Sequence, residues 1–375
     1  MIILNNRIDI LFGVAAAAAF AFAAGCADTP VPTVRSEVLV LVPDTILRLT
    51  APKGEPIVDP IATEFLPEGS LLIADRSERT FWVYSSAGQL AGRISGAGHD
   101  AGELQTLYGA ALIAGHIAAY DVNTASITRF NRSGELLATW IPDHPRDAPP
   151  RTIRTYDDTL LLLTLHPRLR ERSALVFIID SAGRERTRAH RAGNYYRTNG
   201  ALFSVLSMPI ADARQGTILA GFSGSDSLSA YNLDGDLIAA GSLGRNLAFP
   251  VVNYSDHQPP GRHLTREDLP VLTRTLRAEE RVILSHIVMI DSSTAVLQLD
   301  YLPDEGQKRR AFYDAAVFVP VRIDRERHQI NIGTPHSIAG RLVGRDSRRG
   351  GVLILRAGGN HHEVELLTMR VESAS

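Results

Sequence analysis

Along most of the chain, short apolar runs alternate with polar turns built from Gly, Asn, Asp and Ser, and one arrangement of them recurs. Gly69 to Ile94 (GSLLIADRSERTFWVYSSAGQLAGRI) and Gly115 to Trp140 (GHIAAYDVNTASITRFNRSGELLATW) share it. Each has an apolar strand ending in Asp, a polar turn, an alternating strand carrying an aromatic, a glycine turn, and a further apolar strand. Asp75 stands thirteen residues before Gly88, and Asp121 thirteen before Gly134, so the two copies share a register. Leu175 to His190 and Leu228 to Ser242 repeat the strand, turn-glycine and strand order around Gly183 and Gly235. The turn glycines at 88, 134, 183 and 235 are therefore 46, 49 and 52 residues apart. Spacing of that size, filled with short strands, predicts propeller blades of four antiparallel strands.

Two weaker copies follow, in His286 to Gln329 and in the last stretch from Arg341, which supplies three strands at most. Counting from Pro60 gives six units, the last one strand short. EVLVLVPDTILRLT (Glu37 to Thr50) can supply that strand by pairing near Val364 to Glu372, which closes the ring and removes exposed edges. The expected fold is all-β, a six-bladed β-propeller spanning residues 37–375.

One segment breaks the repeat. Between the fourth and fifth units, residues 246–281 form an insertion of roughly forty residues that opens with loop chemistry, including Pro259-Pro260-Gly261. It then turns helical, with Thr265 or Asp268 as N-cap and Leu269, Leu272 and Leu276 on one face. This is either a helix packed on the side of the propeller or a cap over one end of its channel.

RISGAGHDAGEL (Arg93 to Leu104) contains a literal G-x-G-x-x-A at Gly96, Gly98 and Ala101, with Asp121 some twenty residues on. A dinucleotide site needs a crossover helix next, and the following ELQTLYGAALIAGHIAAYD alternates like strands instead. Gly69 to Leu104 resembles the NHL repeat in its Ala74-Asp75 strand end, the aromatic strand Phe81 to Tyr84, the turn glycine Gly88, and the closing Gly96-Ala97-Gly98 through Gly102-Glu103-Leu104. The resemblance covers about a third of the chain well and implies a six-bladed propeller of the kind common among bacterial lipoproteins. It implies no activity, because this fold hosts binding modules, scaffolds, hydrolases and lyases alike. In the same reading the glycines serve as turn residues with positive φ.

The N-terminus changes the picture of where such a propeller works. Residues 1–25 carry Arg7, an apolar run from Ile10 to Ala24 and small residues, the layout of a secretory signal. Fifteen mostly Ala residues are short for a membrane span, which needs about 20. Ala23-Ala24-Gly25-Cys26 resembles a bacterial lipobox, with Ala where Leu is usual, and implies acylation at Cys26. Cys26 is the only cysteine, so no internal disulfide is possible, and lipidation removes a lone exposed thiol. Residues 26–36 then read as a tether. The expected destination is the bacterial envelope, with the outer membrane preferred because Ala27 stands where Asp would mark inner-membrane retention.

Composition narrows the partners. A formal net charge of −2 over 375 residues gives no general reason to bind nucleic acid. H-E-x-x-H and G-x-S-x-G do not occur, and C-x-x-C is impossible. His361-His362-Glu363 is a poor chelate, since neighbours on a strand point to opposite faces. The candidate binding residues are Tyr254, Asp256, His257, Arg262 and His263 in the insertion, and His166, Arg168 and Arg170 of a basic group that also holds Arg151, Arg154 and Arg172. The favoured function is an envelope-anchored, monomeric lipoprotein whose propeller face binds a protein, peptide or glycan without catalysis or cofactor. The alternative is a hydrolase or lyase with calcium or zinc in the central channel. Mass spectrometry of the mature protein is expected to find Cys26 as its acylated first residue; another start, or a free thiol there, overturns the lipobox reading.

Overall fold

The structure, a computed structural model, describes residues 38–50, 57–66, 68–96, 98, 103–142, 150–157, 159–165, 174–191, 208–244, 247, 250–257, 264–302, 314–358 and 363–374. The alternating segments are strands, and they pair in chain order. After β1 (Val38–Thr50), the strands β2 (Pro60–Phe65), β3 (Leu71–Asp75), β4 (Thr80–Tyr84) and β5 (Leu90–Ser95) form one antiparallel sheet. A second holds β6 (Leu107–Ile113), β7 (His116–Asp121), β8 (Ser126–Phe130) and β9 (Leu136–Trp140). A third holds β10 (Pro150–Thr155), β11 (Leu160–Leu165), β12 (Ala174–Asp180) and β13 (Glu185–Arg191).

Two further quartets follow: β14 (Pro209–Arg214), β15 (Thr217–Phe222), β16 (Ser227–Tyr231) and β17 (Leu237–Ser242), then β18 (Val282–Met289), β19 (Thr294–Tyr301), β20 (Ala315–Asp324) and β21 (Gln329–Ile332). They join in one nine-stranded sheet through a single parallel pair, Ala240 of β17 opposite Gln329 of β21, with β22 (His336–Ala339) added on β20. The last sheet runs β23 (Arg341–Asp346), β24 (Gly351–Ala357), β25 (Glu363–Ala374) and then β1. The fold is therefore all-β and propeller-like, four four-stranded antiparallel sheets with one nine-stranded sheet. The expected closing strand is present, since β1 pairs antiparallel with β25 from Val38↔Ala374 to Thr50↔Glu363.

The turn glycines recur in one geometry. Gly88, Gly134, Gly183 and Gly235 all have φ between +79° and +86°, and each donates its N–H to the carbonyl three residues back. That conformation costs an L side chain about 1–2 kcal/mol, which glycine avoids. Each of these glycines also touches the outermost strand of the preceding sheet. A Cβ on Gly88 would lie 2.0 Å from the Arg48 carbonyl of β1, and one on Gly235 would lie 2.3 Å from the Arg188 carbonyl of β13. On Gly134 and Gly183 it would meet Ile94 of β5 and Trp140 of β9. The repeat spacing is thus the spacing of inter-sheet contacts. Gly96 and Gly98 differ from the expectation, because neither has positive φ; what they lack is room, a Cβ on Gly96 falling 2.6 Å from Leu104. The next described element after them is the strand β6.

The apolar core is divided accordingly. One cluster packs Phe81 against Phe130 and Ile117, between the first and second sheets. Another places Ile127 and Tyr120 against Phe177 and Leu163, and a third sets Val176 and Ile178 against Ala213 and Ile218. Leu219 and Leu228 meet Leu284 and Leu297 where the two quartets of the large sheet face each other. Val288 and Phe318 meet Ile354 and Leu367, and Leu355 and Leu366 meet Ile73 and Trp82, which returns the series to its start.

The Asp that ends the second strand of the first two repeats is an anchor. Asp75 accepts backbone N–H groups from Val58, Asp59, Ser77 and Glu78, and Asp121 accepts those of Gln105, Thr106, Asn123 and Thr124. Each carboxylate so ties the segment entering the sheet to the turn after its second strand. Buried backbone donors need such partners. An expected consequence is that Gly235→Ala lowers the chemical-denaturation midpoint far more than Gly216→Ala. Both have positive φ, but nothing lies within 4 Å of a Cβ at Gly216, so the difference between the two isolates the inter-sheet contact.

Candidate functional site

The first strands of the sheets follow one another in a circuit that closes through β11: β2 touches β6, β6 touches β10, β14 touches β18, β18 touches β23 and β23 touches β2, while β14 is met by β11, the partner of β10. Their charged side chains therefore meet inside it. Arg341, at the start of β23, forms an ion pair with Asp59 at 2.7 Å, and Asp59 also holds Arg76 at 2.6 Å. Burial alone would raise the Asp59 pKa, but the two guanidinium groups bring it below the ordinary carboxylate value.

Towards the other ends of these strands lies a denser cluster. Asp212 of β14 accepts the Met289 N–H of β18 at 2.7 Å and faces Arg345 of β23 at 3.7 Å. Arg345 also donates to the carbonyls of Ala213, Met289 and Thr155. The Thr155 hydroxyl of β10 donates to Glu64 of β2 and accepts the Leu112 N–H of β6. One network of bonds thus touches β2, β6, β10, β14, β18 and β23. Burial raises the Glu64 pKa, and Arg345, the Thr155 hydroxyl and Arg154 only partly offset it.

Arg154, on β10, lies within the same field. Burial disfavours its charge most, Asp212 and Glu64 favour it, and Arg341 and Arg345 oppose it. Arg154 is half-buried, and no described residue hydrogen-bonds to it or pairs with it within 4 Å.

The expected insertion lies between β17 and β18. Short 3-10 turns at Tyr254–His257 and Arg266–Asp268 precede α1 (Leu269–Ala278). Asp268 is the N-cap position, although its carboxylate accepts from Thr265 and not from the helix. Leu272 and Leu276 are buried with Val252, Tyr254 and Leu264 against Ile283 and Leu302, giving the insertion its own small core at the end of the sheet where β18 begins. Tyr254, expected at a binding surface, is only 2% exposed and belongs to that core. Asp256 is exposed, and His257 stands 4.0 Å from Glu279. Arg262, His263, His166, Arg168, Arg170 and Cys26 lie outside the described residues.

Of the interior residues, only Arg154 stood out beforehand, as one of a basic group. Glu64, Asp212, Arg341 and Arg345 did not, because each is a single charge in an apolar strand and their meeting is tertiary. The usable signal was a charge inside the first strand of four of the sheets or quartets, PIATEF, PRTIRT, PIADAR and RLVGRD, which LYGAALI and VILSHIVM lack. Among the described residues no three His, Cys, Asp or Glu come together as a metal-binding set, and no helix is long and apolar enough to cross a membrane.

No known family profile and no curated protein matches the sequence. The fold is similar to that of solved structures. A member of the DUF4221 family from Bacteroides vulgatus superposes with a TM-score of 0.59 at 11% identity, over 91% of this chain and 100% of that one. A protein from Bacteroides fragilis named as an exported protein gives 0.58 at 10% identity, over 90% of this chain and 96% of that one.

Glu64 yields a test of the buried cluster. A raised folded-state pKa means the folded protein holds the proton more tightly than the unfolded chain, so this contribution is present below the ordinary glutamate range and is lost as pH rises through the folded value. Glu64→Gln should therefore be more stable than the wild type at pH 7.5, with the advantage shrinking as pH falls towards 5. Urea denaturation at the two pH values measures it, and a constant difference contradicts it.

Proposed function

We propose that the protein is an exported, lipid-anchored, six-bladed propeller that works by binding a protein, peptide or glycan of the cell envelope and catalyses nothing. The observation that carries this reading is that the acids of the interior are committed to structural bonds. Asp59 holds two arginines, Asp212 holds a backbone N–H and faces Arg345, and Glu64 holds Thr155. A general acid or base needs a lone pair or proton directed at substrate, and a metal needs converging ligands. These groups spend theirs on joining strands.

The count of six takes the two quartets of the nine-stranded sheet as separate blades. Their single parallel pair supports it, as does an apolar cluster between them like those between the other sheets. Bulges near the start of β2, β6, β10, β18 and β23 add a repeated irregularity on the first strand. The anchors Asp75 and Asp121 fit kinship with the NHL repeat. Export draws support from the signal-like N-terminus and from the name of the Bacteroides fragilis protein of like fold.

The partner surface in this reading lies beside the insertion. Ordering a segment of that length costs about 1–2 kcal/mol per residue, and its own core holds it in place. Val271 of α1 is 64% exposed while Leu272 and Leu276 beneath it are buried. The double variant Val271→Asp, Arg274→Glu should keep the wild-type melting temperature yet lose the envelope component that co-purifies with the native lipidated protein. Undiminished recovery of that component places the binding surface elsewhere.

A further inference from the structure

We propose that the interior of the ring holds a carboxylate-bearing ligand and that the Arg154 guanidinium grips its carboxylate. The inference concerns a site of its own, independent of the surface beside α1.

Four described arginines reach these interior charges, and three are accounted for by the fold: Arg76 is paired with Asp59 at 2.6 Å. Arg341 is paired with Asp59 at 2.7 Å, and Arg345 binds three backbone carbonyls and faces Asp212. Arg154 sits among the same strands with its donors unspent. A guanidinium carries five N–H donors in a planar fork and stays charged; Arg154 is half-buried, burial weighs against its charge, and no described residue takes up its donors. The acids near enough to influence it are Glu64 and Asp212, and both already have other partners. Its donors are therefore available to an anion from outside.

The surroundings select the anion. A carboxylate matches the fork with two parallel N–H···O bonds. Phosphate near neutrality carries up to two charges and three or four oxygens, and among the described interior residues one unspent guanidinium is present to meet them. Glu64 and Asp212 would repel the second charge. A monocarboxylate adds one negative charge to a group in which four described arginines, Arg76, Arg154, Arg341 and Arg345, face the three acids Asp59, Glu64 and Asp212. Thr155 and the following Tyr156 are engaged with Glu64 and with the Gly216 N–H, so among the described side chains here Arg154 is the recognising group.

The test uses the full chain and acetate as the probe. Sodium acetate, and separately sodium phosphate, replaces chloride at constant ionic strength and pH 7 while the melting temperature is followed. Acetate should raise the wild-type melting temperature in a saturable way and by more than phosphate does. In chloride, Arg154→Met should melt at or above the wild-type temperature, because an unpartnered charge has been removed. Its acetate midpoint should weaken on the order of tenfold or vanish, as expected for loss of a charge-assisted pair. Arg154→Lys, which keeps the charge without the fork, should fall between. A wild type indifferent to acetate, a phosphate effect exceeding that of acetate, an unchanged acetate response in Arg154→Met, or a variant that melts well below the wild type or fails to fold would each overturn the proposal.

Discussion

The pairing of β1 with β25 is the contact on which the arrangement depends. Twelve residue pairs join the first described strand to the last, across nearly the whole sequence. Bringing chain segments more than 300 residues apart together costs about 5 kcal/mol in loop-closure entropy if nothing else is ordered first. The cost falls once the intervening sheets have stacked, since each brings the ends nearer. β1 also forms part of the surface on which Gly88 packs, and the Thr50 N–H donates to the Gly88 carbonyl. The same strand therefore completes the last sheet and seats the first. Were it absent, β25 would show an unpaired edge and the first sheet would lose its neighbour together.

Between those ends, two small devices set the spacing. The turn glycine lets the third and fourth strands of one sheet press onto the outermost strand of the sheet before, at a distance no side chain allows. The Asp carboxylates at 75 and 121 hold the incoming segment by its backbone N–H groups. One acts near the outer rim and the other at the end of the second strand, and together they limit how far neighbouring sheets can slide. The fourth quartet replaces Asp with Ser223, whose hydroxyl accepts the Met208 N–H, so the anchor survives a change of residue.

These devices explain why the architecture could be read from the chain. Gly88, Gly134, Gly183 and Gly235 answer a local demand, positive φ at a close approach, that few other residues meet, so the spacing is written plainly. The helical face of Leu272 and Leu276 and the strand β1 (Val38–Thr50) were visible for the same reason, because periodicity is a local property. The interior charges were not. Glu64, Arg154, Asp212 and Arg345 come from strands far apart in sequence, each looks like an ordinary polar residue in a short strand, and no spacing links them. Tyr254 misled in the other direction: an aromatic in a polar stretch reads as a contact residue, yet the ring covers the small core beneath α1.

A ring of separate inter-sheet cores also accounts for how such an interior is tolerated. Each apolar cluster stabilises its own pair of sheets, so the central strands need not pack tightly against one another to hold the fold together. They can be joined instead by polar bonds, as Thr155 joins Glu64 to Leu112 and Arg345 joins Thr155 to Met289. Bonds of that kind, shared among strands from different sheets, depend on each sheet's angle about the axis. Loss of one partner leaves a buried group unmatched, which costs more than the bond was worth. The interior therefore fixes the relative orientation of the sheets while the cores supply most of the stability. Within that division Arg154 is the exception, since its neighbours would keep their bonds without it.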